Sequence, residues 1–139
     1  MRRWIQLEHT ADLSVMGEGD TREEALQALL EGFTAQIVDP GTVRKTDERV
    51  VEAEGVDTED AVITLLGEFV YLIYVKNWLP ADFEGVELTG ESAKAVVRGE
   101  KFDPSRHRFL TEVKAATYHD YDFSKGEDGR WRVRAVFDR

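Results

Sequence analysis

An α+β fold of two layers, a mostly antiparallel sheet with two helices packed on it, is the architecture this sequence predicts. Three observations predict it. Two segments carry apolar residues at helical spacing. Four strand-like segments follow the second of them in succession, which favours antiparallel neighbours over a doubly wound sheet. The chain is 139 residues long, the size of one ordinary domain, and such a chain buries roughly 68–70% of its accessible surface. No repeat, low-complexity tract or linker divides residues 1–139, so one domain is expected.

The elements follow in the order β-β-α-β-α-β-β-β-β. Trp4-Ile5-Gln6-Leu7 and Leu13-Ser14-Val15-Met16 read as an opening strand pair, with Gly17-Glu18-Gly19-Asp20 as a turn. Asp20 with Glu23, or Thr21 with Glu24, fits a capping box for a helix beginning near Thr21. Leu26, Leu29, Leu30, Phe33 and Ile37 give that helix one apolar face, and Asp39-Pro40-Gly41 ends it. A strand is expected over 49–54. Asp57 or Thr58 then caps a second helix whose broad apolar face includes Val62, Leu65, Leu66, Phe69, Val70, Leu72, Ile73 and Val75. That breadth marks it as the central helix against the sheet, with Leu79-Pro80 as its stop. Strands are expected at 83–88, 93–98, 112–123 and 131–137. The last two flank Ser124-Lys125-Gly126-Glu127-Asp128-Gly129, a strong turn signal, and should form a hairpin.

Charge narrows the function classes. Lys and Arg total 18 against 28 for Asp and Glu, a formal net charge of −10. No basic stripe is evident, so strong direct nucleic-acid binding is not expected. Acidic character suits solubility, cations or a basic protein partner. There are no cysteines, which excludes disulfides, thiolate zinc and cysteine nucleophiles and fits a reducing compartment. Met1-Arg2-Arg3 is not followed by an apolar signal region, and the longest apolar stretch, 61–75, is broken by Thr64, Gly67 and Glu68. Membrane insertion is therefore not expected, and a cytoplasmic location is.

Catalytic motifs are sparse. The chain has no G-x-S-x-G, no Walker loop and no H-E-x-x-H. His9-Thr10-Ala11-Asp12 breaks the first two strands, and Asp138 closes the last one beside Arg139. Carboxylates and backbone oxygens are hard donors that suit calcium, magnesium or manganese. If Arg139 is the terminus, Asp12, Asp138 and a terminal oxygen could tie the first strands to the last around a cation. Two unconnected strand-end acids are the commoner outcome of such spacing. Along the long strand, period two puts Val113, Ala115, Thr117, His119 and Tyr121 on one face and Lys114, Ala116, Tyr118, Asp120 and Asp122 on the other. A lone histidine there is more often structural than functional, and Asp120 and Asp122 fit a solvated edge. A small metal-dependent hydrolase, with His9 or His119 as base, is a third class that the residues allow.

Several of these segments together carry a resemblance. His9-Thr10-Ala11-Asp12 with Gly17 and Thr21-Arg22-Glu23-Glu24-Ala25 is one. Gly99-Glu100-Lys101-Phe102-Asp103 before His107 is another. Thr111-Glu112-Val113-Lys114-Ala115-Ala116-Thr117-Tyr118-His119-Asp120 and the final Val136-Phe137-Asp138 complete the set. In this order they span the whole chain and resemble the archease family. The resemblance implies a non-catalytic accessory protein of the RtcB-type RNA-splicing ligase, which joins tRNA exons after guanylylation of a histidine. Such a protein promotes guanylylation and multiple turnover and can broaden the nucleotide the ligase accepts. An alternative for the family is a chaperone-like modulator of a tRNA methyltransferase. The resemblance also implies a divalent cation, calcium by preference, on Asp12, Asp138 and Arg139. His9, Lys114, His119 and Asp120 are candidate partner contacts. Two departures stand out: the terminal residue is commonly aliphatic in the family but is Arg139 here, and Tyr71-Leu72 replaces a pair that is often polar or acidic.

Overall fold

Thr21 caps the first helix, α1 (Arg22–Ile37), its hydroxyl accepting from the Glu24 N–H at 3.1 Å. Glu24 returns a carboxylate to the Asp20 N–H at 3.0 Å, so the second of the two expected capping pairs forms, reaching one residue further back than a standard box. Asp57 caps the second helix, α2 (Thr58–Tyr74), by accepting from the Asp60 N–H at 2.8 Å. The computed structural model describes residues 1–7 and 12–139. The strands are β1 (Arg3–Leu7), β2 (Leu13–Gly19), β3 (Asp47–Glu54), β4 (Trp78–Leu88), β5 (Ser92–Lys101), β6 (Ala115–Lys125) and β7 (Trp131–Asp138).

The α+β class is as expected, with all observed strand pairs antiparallel. The strands divide between two sheets, ordered β1-β2-β7-β6 and β3-β5-β4. Both helices bridge the sheets: α1 packs on β1, β2, β7 and β4, while α2 packs on β3, β4, β5 and β6. One hydrophobic core results. The expected α1 face, Leu26, Leu29, Leu30, Phe33 and Ile37, is fully buried, and Phe33 stacks on Phe137 with ring centroids 5.1 Å apart. Val75, expected on the α2 face, instead caps the helix end and stays exposed, as does Tyr71 on the helix.

Three local expectations are corrected. Gly17-Glu18-Gly19 is strand rather than turn, because its glycines let α1 lie directly on β2. A Cβ on Gly17 would stand 2.2 Å from the Ala25 carbonyl oxygen and 2.4 Å from the Leu29 nitrogen. Gly17→Ala should therefore lower stability by about 3 kcal/mol, the overpacking range, as a fall in denaturant midpoint at unchanged m. Leu79-Pro80 does not stop α2. The helix ends at Tyr74, Asn77 reverses the chain with φ 54°, and Pro80 lies in β4. A proline is tolerated there because β4 is an edge strand. The third correction concerns β6. Its pairing with β7 breaks between Thr117 and Asp122, and Asp120 adopts φ 53°. The single period-two face assignment fails across this bulge: Ala116 packs on the core before it, Tyr121 and Phe123 after it.

Candidate functional site

Leu13 pairs with Phe137 in the antiparallel β2–β7 ladder, and both side chains are buried. Asp12 directly precedes β2 and Asp138 is the last residue of β7, so both lie next to the pair that ends the ladder. The buried Leu13–Phe137 pair, backed by Phe33, fixes this register from below. Asp12 is half-buried and Asp138 exposed. The Asp138 carbonyl accepts from the Lys114 N–H at 2.8 Å, and Asp138 pairs with Ala115 of β6. Asp12, Asp138, Lys114 and Arg139 thus gather at one end of the four-stranded sheet. His9 lies outside the described residues.

Two carboxylates brought close together would repel each other unless a cation or proton intervened. The donor set here consists of hard oxygens, which fits calcium, magnesium or manganese. Asp12, Asp138 and an oxygen of Arg139 are the atoms that would hold such an ion. Among the described residues, no group of three or more His, Cys, Asp and Glu side chains is arranged to hold a metal. A site at this edge would accordingly complete its shell with backbone oxygens, water or partner groups.

His119 and Asp120 sit elsewhere. Their side chains approach at 3.2 Å on the β6 bulge, both well exposed. They lie four to five positions beyond Ala115, roughly 13 Å along an extended strand. The bulge is held on two sides: the Arg134 Nε donates to the Asp120 carbonyl at 3.0 Å, and the Tyr118 hydroxyl donates to Asp60 of α2. That bond holds the Asp60 carboxyl below its usual range and pushes the Tyr118 phenol up. Lys114 therefore groups with the aspartate edge, and His119 with Asp120 forms a second exposed point on the same strand.

Sequence reasoning missed two polar clusters. Arg132 and Arg134 share the Asp138 face of β7, and Glu18 beside them is only 2% exposed. Glu18 receives Arg3 at 3.0 Å, with Arg130 and Arg132 at 3.7 Å. The available signal was the alternation of Arg130, Arg132 and Arg134. The second cluster surrounds Glu100, which accepts from Arg106 at 2.7 and 2.9 Å, the Arg44 N–H at 2.7 Å and His107 Nε2 at 3.0 Å. His107 Nδ1 accepts from the Asp103 N–H, so in the neutral ring Nε2 bears the proton and donates to Glu100. Arg106 above all, aided by the other donors against the cost of burial, holds the Glu100 carboxyl down at about 2. This clamp fixes the 102–108 loop and through it the approach to β6.

Residues 4–138 match the Archease protein family (MTH1598/TM1083). Protein archease of Pyrococcus furiosus is 39% identical over 142 residues, covering 99% of each chain. Protein archease of Pyrococcus abyssi is 40% identical over 141 residues at the same coverage. Among solved structures, Methanobacterium thermoautotrophicum protein 1598 superposes with a TM-score of 0.80 at 23% identity, over 99% of this chain and 98% of that one. A Thermotoga maritima structure described as an archease and possible chaperone gives a TM-score of 0.61 at 25% identity, over 96% of this chain and 94% of that one. No helix among the described residues is long and apolar enough to cross a membrane.

Proposed function

This chain belongs to the archease family, and from that premise we propose that it is a non-catalytic activator of an RtcB-type RNA-splicing ligase. In this reading it promotes guanylylation of the ligase and its multiple turnover, and can broaden the nucleotide used. The observation that supports the proposal is the β2–β7 register, which ends at Leu13 and Phe137 and so leaves Asp12 and Asp138 at the same sheet end as Lys114 and Arg139. A divalent cation there, calcium by preference, would neutralise the paired carboxylates and offer open coordination to a partner. Asp138 closes β7, where its carbonyl accepts from the Lys114 N–H, and Asp12 directly precedes β2. A net charge of −10 favours approach to a basic, RNA-binding enzyme. Activation then requires only tighter binding to the guanylylation-competent form of the ligase than to its other forms.

The test is direct. The purified protein alone should join no RNA, and adding it to the ligase from the same cell should accelerate guanylylation and allow repeated turnover. A ligase whose single- and multiple-turnover rates stay unchanged would sink the proposal. A second reading draws on the description of the Thermotoga maritima relative as a possible chaperone: modulation of a tRNA methyltransferase. Affinity purification from the native cell separates the two, since each reading names a different enzyme in the complex.

A further inference from the structure

The three-stranded sheet, remote from the aspartate edge, carries an unassigned feature. Among the described residues four strands lie at sheet edges, and three bear devices that discourage further pairing. β1 has five residues; β4 has Pro80 and two register breaks; β6 has its bulge at Asp120. β3 has none of these. It runs eight residues in unbroken register with β5, from Asp47 opposite Gly99 to Glu54 opposite Ser92. Its other edge pairs with no strand among the described residues.

A cavity of about 410 Å³ lies at the 104–108 loop, but the groove beside β3 has the more telling walls. This groove, about 360 Å³, is lined by Arg49, Val50 and Glu52 on the strand, Tyr71 and Leu72 on the helix, and Lys76 just past the helix end. Val50 is 52% exposed, Tyr71 49% and nearby Val75 58%. Both cations are turned onto aromatic rings: Arg49 lies over Trp78 at 5.3 Å and Lys76 over Tyr71 at 5.8 Å. An open strand edge running beside a helix, with an apolar groove between, is the geometry that accepts an added strand.

We propose that β3 and the α2 groove bind an extended, basic segment of a partner protein by strand addition. Charge chooses this occupant: β5 sets Arg98 and Lys94 opposite Glu48 and Glu52 on one side, Arg98 lying nearer Glu84 than Glu48, and a basic strand on the open side would continue this alternation. On the outer face of β3, Glu48, Glu52 and Glu54 alternate around Val50, and all are exposed. An added strand meets Glu48 and Glu52 best with Lys or Arg four positions apart, an apolar residue between them facing Val50. The residues of opposite parity then enter the groove against Tyr71 and Leu72.

Symmetry argues against a second copy of this chain. A two-fold dimer keeps each face of the extended sheet, so only residues of equal parity can oppose each other across it. Centring the pair on Val50 sets Glu48 against Glu52, and centring it on Val51 sets Glu48 against Glu54. Centring it on Arg49 opposes the two arginines. Like charges directly opposed destabilise every such register. The inference is independent of the ligase reading, since it uses a different sheet and no cation.

A fluorescently labelled peptide, Gly-Ser-Lys-Val-Ile-Val-Lys-Ser-Gly, serves as probe, with a control in which both lysines are glutamate. Saturable binding of the lysine peptide is expected, at least about tenfold tighter than the control. Amide shifts in nuclear magnetic resonance should centre on β3 and the end of α2. The double variant Glu48→Lys/Glu52→Lys should reverse the preference between the peptides. Tyr71→Ala, at an exposed helix position, should weaken binding about fivefold and keeps the test alive if the charge reversal does not fold. Equal binding of both peptides, no binding, shifts centred elsewhere, or dimerisation through β3 would each overturn the proposal.

Discussion

Asp138→Ala is expected, on the proposed function, to weaken divalent-cation binding and stimulation of the ligase together, while the fold persists. The side chain is exposed, and the strand bond at this position uses the carbonyl that accepts from Lys114, which alanine retains. Phe137 keeps the β7 end anchored on Phe33. Losing one of the two proposed ligand carboxylates should weaken calcium binding by at least about tenfold, since affinity for such ions follows ligand charge and number. The variant should match or slightly exceed the parent in thermal stability under chelation, because removing one carboxylate relieves repulsion from the other. Calcium should raise the melting temperature of the parent alone. Calorimetric titration and a guanylylation time course on the same preparations check both halves of the expectation. Full ligase stimulation by a variant that no longer binds calcium would separate the cation from the activity.

Glu100→Gln carries the larger expected cost to stability. One carboxylate serves both terminal guanidinium nitrogens of Arg106, the Arg44 N–H and His107. An amide would lose the charge and turn its own donor toward donors. The expected loss is about 2–4 kcal/mol at neutral pH, read from denaturant unfolding. Its pH dependence has a definite sign. The Glu100 carboxyl is held at about 2 in the fold against an ordinary value of 4.5. Its contribution is therefore complete above pH 4.5 and fades as pH falls toward 2. Parent and variant should converge over that window. Asp128, lowered to about 2 mainly by Arg132, titrates over the same range in both proteins, so their difference isolates Glu100. A stability gap that stays constant down to pH 2 would show that the clamp is not electrostatic.

Local signals in the sequence led to the helices and the final hairpin because caps and periodicity act over a few residues. Thr21 and Asp57 announce helix starts through bonds that span three positions. What escaped depends on distant neighbours. Gly17 and Gly19 look like turn residues, yet their missing side chains serve the approach of α1. Pro80 looks like a stop signal but is absorbed at the edge of a sheet whose order local patterning does not reveal. The β6 bulge rests on Asp120, a residue type that enters the left-handed region more readily than most. The resemblance named Asp12 and Asp138 as a pair, but spacing across most of the chain left their meeting open. The β2–β7 register ends at their neighbours Leu13 and Phe137, so both acids lie at the same end of the sheet, and the shared ion stands as a proposal. Glu18 and Glu100, both acidic and both buried, read as surface charge until their arginines converge on them in three dimensions.

The partnership of Asp12 and Asp138 is tested most directly by a double-mutant cycle on calcium affinity, using Asp12→Asn, Asp138→Asn and the combined variant in titration calorimetry. If the two carboxylates share one ion, each single change removes most of the affinity, and the double change costs little more than either alone. Unaltered affinity in either single variant, or losses that multiply as for separate sites, would contradict a shared ion at this edge.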